Sequence, residues 1–356
     1  MAPQFTLEQI LEKIEGASLK NCPNPELVTI KKIVTLDSKE ECAISYLATP
    51  KMLREALDSK VSVLVISKKF EEKFDDTTPL VIVEDAEYSL ISLLNLFHPE
   101  REANGQISKT AAIDSTAIIG EGTEIEDFVI IGKNVKIGNN CIIQGGSHIG
   151  HNVTLGNNTI IGPGNVVHHG VTIGERFRSF GNCTIGSDGF RFTHKGGAFL
   201  KISQVGGVVI GDDVEFGANC CIDRGGLTDT LIGNGVKLDN MVHIAHNCIL
   251  KNHIVIAAQS GVAGSSTIGN YVMISGQCAI TDHIEIADGV RLGGKTGVRQ
   301  SIEEKGTAYA GVLGLPIKDF HRYLHNVKHV VNFRSWAKRI VNIEKNLGIE
   351  DTTTKK

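Results

Sequence analysis

His246 is the side chain whose type and setting best fit a base working near neutral pH, since imidazole alone has an unperturbed pKa in that range. Its segment, Leu238 to Asn247 (LDNMVHIAHN), also carries Asp239, Asn240, His243 and Asn247. Gly264 stands 18 residues beyond His246, and His283 stands 37 beyond it. In a chain that coils every 18 residues, Gly264 would stack about 4.8 Å from His246 and offer a backbone N–H with no side chain in the way. His283 would project from nearly the same corner two coils up. A base, a bare amide donor and a second imidazole along one groove suit acyl transfer. The base removes a proton from an attacking amine or alcohol, and the amide stabilises the tetrahedral oxyanion. Nothing pairs a covalent nucleophile with an adjacent base, so direct transfer is the simpler chemistry. His151 and His169 share the phase of His246 and read as solvated surface; setting, not phase, singles His246 out.

The coil that must position these residues is written in the sequence. From Ile232 to Val298 an aliphatic residue recurs at every sixth position without a miss (Ile232, Leu238, Ile244, Leu250, Ile256, Val262 and onward). A helix repeats at 3.6 and a strand at 2, so this spacing predicts a parallel β-helix in which three hexads make one triangular coil around stacked aliphatics. Small or β-branched residues two before each aliphatic (Val236, Val242, Cys248, Ser260, Ser266) share the interior, and glycines directly after it (Gly233, Gly269, Gly293) suit a corner that needs freedom in φ. The same ladder runs from Ile107 to Ile173, keeps phase at Ile185, and resumes at Ile210, Phe216 and Ile222. Roughly nine coils and a prism on the order of 45 Å long follow.

Two interruptions break the phase: residues 186–207 (GSDGFRFTHKGGAFLKISQVGG) and four extra residues within 223–230. A solenoid built only for shape needs neither, and long loops on a rigid scaffold usually line a site. Before the ladder, residues 1–104 read as a small α/β domain. Thr6 caps a helix with Leu7, Ile10, Leu11 and Ile14 on one side. Strands are expected at 28–34, 43–47, 61–66 and 80–83, and helices at 50–57 and 88–97. After a β-helix domain at 105–314, residues 315–356 form a helical extension. Its apolar face runs through Phe320, Tyr323, Leu324, Val327, Val330, Val331 and Ile340. Its basic face carries Lys318, Arg322, Lys328, Arg334, Lys338, Arg339 and Lys345 against two acids, Asp319 and Glu344.

A net charge of −4 over 356 residues argues against nucleic acid as a partner. No apolar run is long enough to span a membrane, and the opening Met1-Ala2-Pro3-Gln4 lacks the features of a signal peptide, so a cytoplasmic protein is expected. The eight cysteines agree: Cys141, Cys220, Cys248 and Cys278 occupy the small inward phase, Cys220-Cys221 is no zinc pattern, and there is no CxxC. No metal or cofactor is expected.

Residues 206–225 (GGVVIGDDVEFGANCCIDRG), 238–247 (LDNMVHIAHN), 261–264 and 280–284 (ITDHI), with the order of parts, resemble the UDP-3-O-acylglucosamine N-acyltransferase family. The resemblance implies a left-handed hexapeptide β-helix. It also implies a homotrimer that moves a 3-hydroxyacyl chain from acyl carrier protein to the 2-amine of a UDP-linked acyl-glucosamine in lipid A synthesis. Carried over, the base falls on His246, the oxyanion amide on Gly264 and the second histidine on His283. Substrate contacts are expected at Asp239, His243, where the family pattern has Gln, and Asn247. In the small domain the family holds uracil through Ile-Ser-Phe-Leu-x-Asn-Pro-x-Tyr, and this chain has Ile44-Ser45-Tyr46-Leu47-Ala48-Thr49-Pro50-Lys51-Met52. Tyr46 keeps the first aromatic, whereas Thr49 and Met52 replace the amide and the second aromatic, so weak uridine binding is expected. The basic helix, with Lys338 and Arg339, suits an acidic carrier protein. Other readings compete: an acyltransferase acting on a different nucleotide sugar, a metal-dependent hydratase of the carbonic anhydrase type recruiting His243, His246 and His283, and a solenoid without chemistry.

Overall fold

The computed structural model describes residues 3–312, 314 and 316–347. Met1 and Ala2 lie outside the described residues, as do Leu313 of the expected β-helix domain and Leu315 and residues 348–356 of the helical extension. The chain divides into two compact units, one ending at Glu102 and the other beginning at Ala103.

In the first unit, Thr6 and Gln9 form a reciprocal capping box that starts the helix Leu7–Leu11. A five-stranded sheet runs in the order Ser18–Lys20, Leu80–Val83, Val63–Ser67, Ala43–Leu47, Lys32–Ile33, antiparallel at its first pair and parallel thereafter. Both faces are covered, so the central strands are apolar on both sides. Ile44, Val63, Val65 and Val81 pack with Leu7, Ile10 and Leu93 on one face, and Leu47, Leu64, Ile66 and Leu80 with Leu36 and Phe70 on the other. The helix Ala86–Phe97 starts two residues before the expected position, because the Asp85 carboxylate accepts from the N–H groups of Glu87 and Tyr88.

In the second unit, strands of mostly two residues stack into three parallel sheets of ten, ten and nine strands. The prism thus has about one coil more than the hexad count suggested. Partners lie 18 apart in sequence, as Ile131 with Ile149. They lie 37 apart across the first interruption (Thr184 with Cys221) and 22 apart across the second (Cys221 with His243). Ile244, Leu250, Ile256, Val262 and Ile268 are buried, as are Val242, Cys248, Ser260 and Ser266 of the small phase. Each aliphatic removed from water contributes about 1.5–3 kcal/mol. Where Ser179 replaces an aliphatic, Phe177 and Phe216 fill the coil edge to face, with centroids 5.1 Å apart. Ile107, the first member of the early ladder, is half exposed. Burial pushes the Cys248 thiol up to about 11, as suits a packing residue.

The glycine after each aliphatic is needed for a different reason from the one expected. Gly233, Gly269 and Gly293 do not adopt positive φ; the left-handed corner falls two residues later, at Gly235, Met241, Asn247, His253 and Gln259. Gly233 instead lies against the next coil, and a Cβ there would sit 2.6 Å from the Lys251 carbonyl oxygen. Beyond the prism, Ile317–Val330 and Phe333–Asn346 form two exposed amphipathic helices. The chain turns between them, so the single apolar face drawn from Phe320 to Ile340 is broken at Val331, which is exposed.

Gly233→Ala should therefore destabilise the protein by about 1–3 kcal/mol. Gly289→Asn, at a left-handed corner where asparagine is tolerated, should melt close to the parent in a thermal scan. Ile256→Asp should yield no soluble protein, because it buries an unpaired carboxylate in the ladder. Equal melting of all these variants would contradict the assigned phase.

Candidate active site

His246 follows the strand His243–Ile244, Gly264 follows Gly261–Val262, and His283 follows Ala279–Ile280. These three strands are consecutive in one sheet, so the three residues occupy one corner on successive coils. With Phe190, Arg191, Asp223, His243 and Asp282 they line a groove of about 530 Å³.

Two glycines clasp the His246 ring. A Cβ at Gly264 would lie 2.8 Å from Nε2, and one at Gly189, from the first interruption, would lie 2.7 Å from the His246 Cβ. At the same phase on another corner, the N–H groups of Asn234, Asn252 and Asn270 are capped by side-chain oxygens of Asn252, Asn270 and Asp288, at 2.9, 3.1 and 2.8 Å. Among the described residues the Gly264 N–H has no such partner. It is a free donor beside an imidazole.

Asn247 fixes which nitrogen of that imidazole is free. Its Nδ2 donates to the carbonyl and hydroxyl oxygens of Thr228, both at 3.0 Å, and its Oδ1 accepts the Gly226 N–H at 2.9 Å. The amide orientation follows from those partners. Oδ1 also faces His246 Nδ1 at 3.1 Å, and as an acceptor it requires the proton there. Nε2, the nitrogen beside Gly264, is then left with its lone pair. The residues 226–228 that hold Asn247 belong to the second interruption.

Asp223 and Arg224 are buried, and no role was read for either from the sequence beyond the motif that contains them. The Arg224 guanidinium donates to the carbonyl oxygens of Gly186 (2.8 Å) and His169 (2.7 Å) and to His169 Nε2 (2.7 Å), pinning the start of the first interruption to the prism. His169, expected as plain surface, is thus a structural acceptor. Asp223 accepts from the Ser187 hydroxyl at 3.1 Å and faces His243 Nε2 at 3.5 Å. Burial raises its pKa, with the His243 charge and the Ser187 bond opposing. The clue to Asp223 and Cys221 was arithmetical: four extra residues bring position 221 into register with 243.

Asp239 and Asn240 do not join His246. They follow Lys237–Leu238 on a different sheet and line a separate groove with Phe180 and Gly217, where Asp239 accepts the N–H groups of Asn240 (2.7 Å) and Ala258 (3.0 Å). Six residues along a β-helix is one corner onward, so closeness in sequence misplaced them. His283 is exposed, its Nε2 4.0 Å from Asp282 Oδ2. Nor do His243, His246 and His283 gather as a metal site. Among the described residues the only trio with ligand atoms close enough to share an ion is Cys221, Asp223 and His243. In the small unit, Tyr46 packs against the cluster containing Ile44 and Met52 against the one containing Leu47, and Thr49 is exposed. Lys338 and Arg339 are exposed on the helix Phe333–Asn346.

A six-residue repeat wound into three parallel faces, with a tautomerically fixed imidazole beside a bare amide, defines an acyltransferase of the hexapeptide-repeat class. Residues 116–151 match the bacterial transferase hexapeptide (six repeats) family. UDP-3-O-acylglucosamine N-acyltransferases of Leptospira biflexa and Neisseria meningitidis are 45% and 42% identical to this chain, over 98% and 96% of both chains. An Arabidopsis UDP-N-acetylglucosamine acyltransferase, 21% identical, shares the fold with a TM-score of 0.50 over 70% of this chain and 86% of its own. The chain belongs to the UDP-3-O-acylglucosamine N-acyltransferase family, and it is an enzyme that transfers acyl groups. Among the described residues no helix is long and apolar enough to cross a membrane.

Asn247→Ala should lower kcat at least tenfold and cost on the order of 1 kcal/mol of stability, since it strips partners from Gly226 and Thr228. Asn247→Asp retains an acceptor for Nδ1–H and should keep more of kcat than the alanine variant. Equal kcat in the two variants would mean that the tautomer is set by something else.

Proposed function

We propose that this protein transfers a 3-hydroxyacyl chain from acyl carrier protein to the 2-amine of UDP-3-O-acylglucosamine, a step of lipid A synthesis, with His246 as the general base. The observation that carries this reading is the Nε2 lone pair of His246 packed against Gly264, whose N–H has no partner among the described residues. Nε2 takes a proton from the 2-amine as its nitrogen attacks the thioester carbonyl. The carbonyl oxygen, now an oxyanion, is held by the Gly264 N–H, the kind of donor whose loss typically costs about 10²–10³ in rate. Collapse forms the amide, breaks the C–S bond and returns the proton from His246 to the departing thiolate. Such reciprocal use of one group as base and then acid balances the reaction without a covalent intermediate. His283, two coils along the groove, is the second active-site histidine, His243 contacts the substrate, and Asn247, its amide taken by Gly226, Thr228 and His246, acts by holding the imidazole.

The remaining parts are assigned on the same reading. The protein acts in the cytoplasm as a homotrimer, in which neighbouring prisms complete the grooves. The small domain takes the uridine through Tyr46, Thr49 and Met52, and the exposed basic helix with Lys338 and Arg339 receives the acidic carrier protein. Asp239, on its own corner, is kept as a substrate contact only in such an assembly.

His246→Ala should lower kcat by a hundredfold or more, within the usual general-base range of about 10²–10⁴, while its melting temperature stays at the parent value; near-normal turnover would remove His246 from the mechanism. Thr49→Asn combined with Met52→Tyr restores a second stacking face and an edge-reading amide. It should tighten UDP-sugar binding by about 1–2 kcal/mol in calorimetry with little change in kcat. Weaker binding would show that the small domain recognises the nucleotide in another way.

A further inference from the structure

We propose that Cys221, Asp223 and His243 bind one divalent cation of the zinc type on the wall of the acyl-transfer groove, and that its binding inhibits transfer. One thiol, one carboxylate and one imidazole place their ligand atoms within 4.8 Å of one another. In a tetrahedral zinc site, bonds of about 2.0–2.3 Å put neighbouring ligand atoms roughly 3.3–3.8 Å apart. Here His243 Nε2 lies 3.5 Å from Asp223 Oδ2, and Cys221 Sγ lies 3.9 Å from Asp223 Oδ1.

The donors are also pre-positioned. Cys221 and His243 are register partners on adjacent strands, held by the same coil-to-coil bonding as the rest of the prism. The Ser187 hydroxyl donates to Asp223 Oδ1 at 3.1 Å, the outer-shell bond that orients a metal-binding carboxylate. Asp223 is 5% exposed, and no Lys or Arg reaches it among the described residues; Arg224 is turned to Gly186 and His169. A buried carboxylate beside a thiol, a hydroxyl and imidazoles can take up a cation's charge, although Arg191 and Asp282 line the same groove.

Three protein donors leave the fourth position to water or another exchangeable ligand, the arrangement of an open rather than a closed zinc site. Binding converts the Cys221 thiol to thiolate and releases its proton to solvent, so affinity falls as pH is lowered. Asp223, His243 and His246 line one groove. With the Cys221 thiolate and the Asp223 carboxylate bound to it, the ion leaves the site without net charge, and the negative charge of Asp223 that would favour the His246 imidazolium required by the transfer step is lost. The inhibitory half of the proposal therefore rests on His246 as base, whereas the binding half does not.

The test uses the full-length protein, freed of metal by chelation and dialysis and titrated with Co²⁺. We expect one equivalent to bind with a thiolate-to-cobalt charge-transfer absorption and the ligand-field bands of a tetrahedral ion, displaced by Zn²⁺. Cys221→Ser should lose the charge-transfer band, and His243→Gln should weaken binding at least tenfold. Zn²⁺ should inhibit acyl transfer by the parent, with a midpoint matching its binding. It should spare Cys221→Ser, whose metal-free rate should match the parent's. No charge-transfer band in the parent, or an undiminished band in Cys221→Ser, overturns the site. Stoichiometric binding with unchanged transfer overturns the inhibition. Loss of the His246 reading would show separately, as full activity of His246→Ala, and leaves the cobalt spectra untouched.

Discussion

Everything in the second unit depends on hydrogen bonding between successive coils. Ala245 N–H donates to Val262 O and Ala263 N–H to Ile280 O, both at 3.0 Å, and the aliphatic stack beneath allows no slip. A shift of one residue would turn the inward ladder outward. That constraint makes an 18-residue separation in sequence a fixed separation in space, and it alone brings His246, Gly264 and His283 to one corner. The groove needs no helix dipole and no buried ion pair, because a rigid ruler carries its parts.

The two interruptions add what a ruler cannot. Left to the repeat, the ring of His246 would be free to turn, with either nitrogen presented. The first insertion lays Gly189 against the ring, and Arg224 holds that insertion at Gly186. The second supplies the Gly226 N–H and the Thr228 oxygens that orient Asn247, which in turn sets the proton on Nδ1. Positioning in this site is therefore divided: the coil gives place, and the inserted segments give orientation. Preorganisation of this kind lowers the cost of reaching a transition state, since the donors need not rearrange when charge develops.

The hexad period made the prism legible, down to the inward phase of Val242, Cys248 and Ser260, because burial along a repeat leaves its mark on composition. The column of His246, Gly264 and His283 was legible for the same reason. Legibility failed where distance along the chain was taken for distance in space, as for Asp239 and Asn240, one corner away. It failed again where a glycine had two possible reasons to be conformationally small. Gly233 makes room for the next coil, while the left-handed corner falls to Gly235. The parts of Asp223, Arg224 and Asn247 depend on loop geometry and hydrogen-bond direction, which leave no periodic trace.

The chemistry rests on the tautomer of the His246 imidazole, with the proton on Nδ1 and the lone pair on Nε2. Nitrogen-15 NMR of histidine-labelled protein, with the His246 signals identified by their absence from His246→Ala, reads that tautomer directly. The expected result is a protonated Nδ1 and an unprotonated Nε2 in the parent, with the two tautomers mixing once Asn247 is replaced by alanine. A proton on Nε2 in the parent would contradict it, since the nitrogen beside Gly264 could then accept nothing.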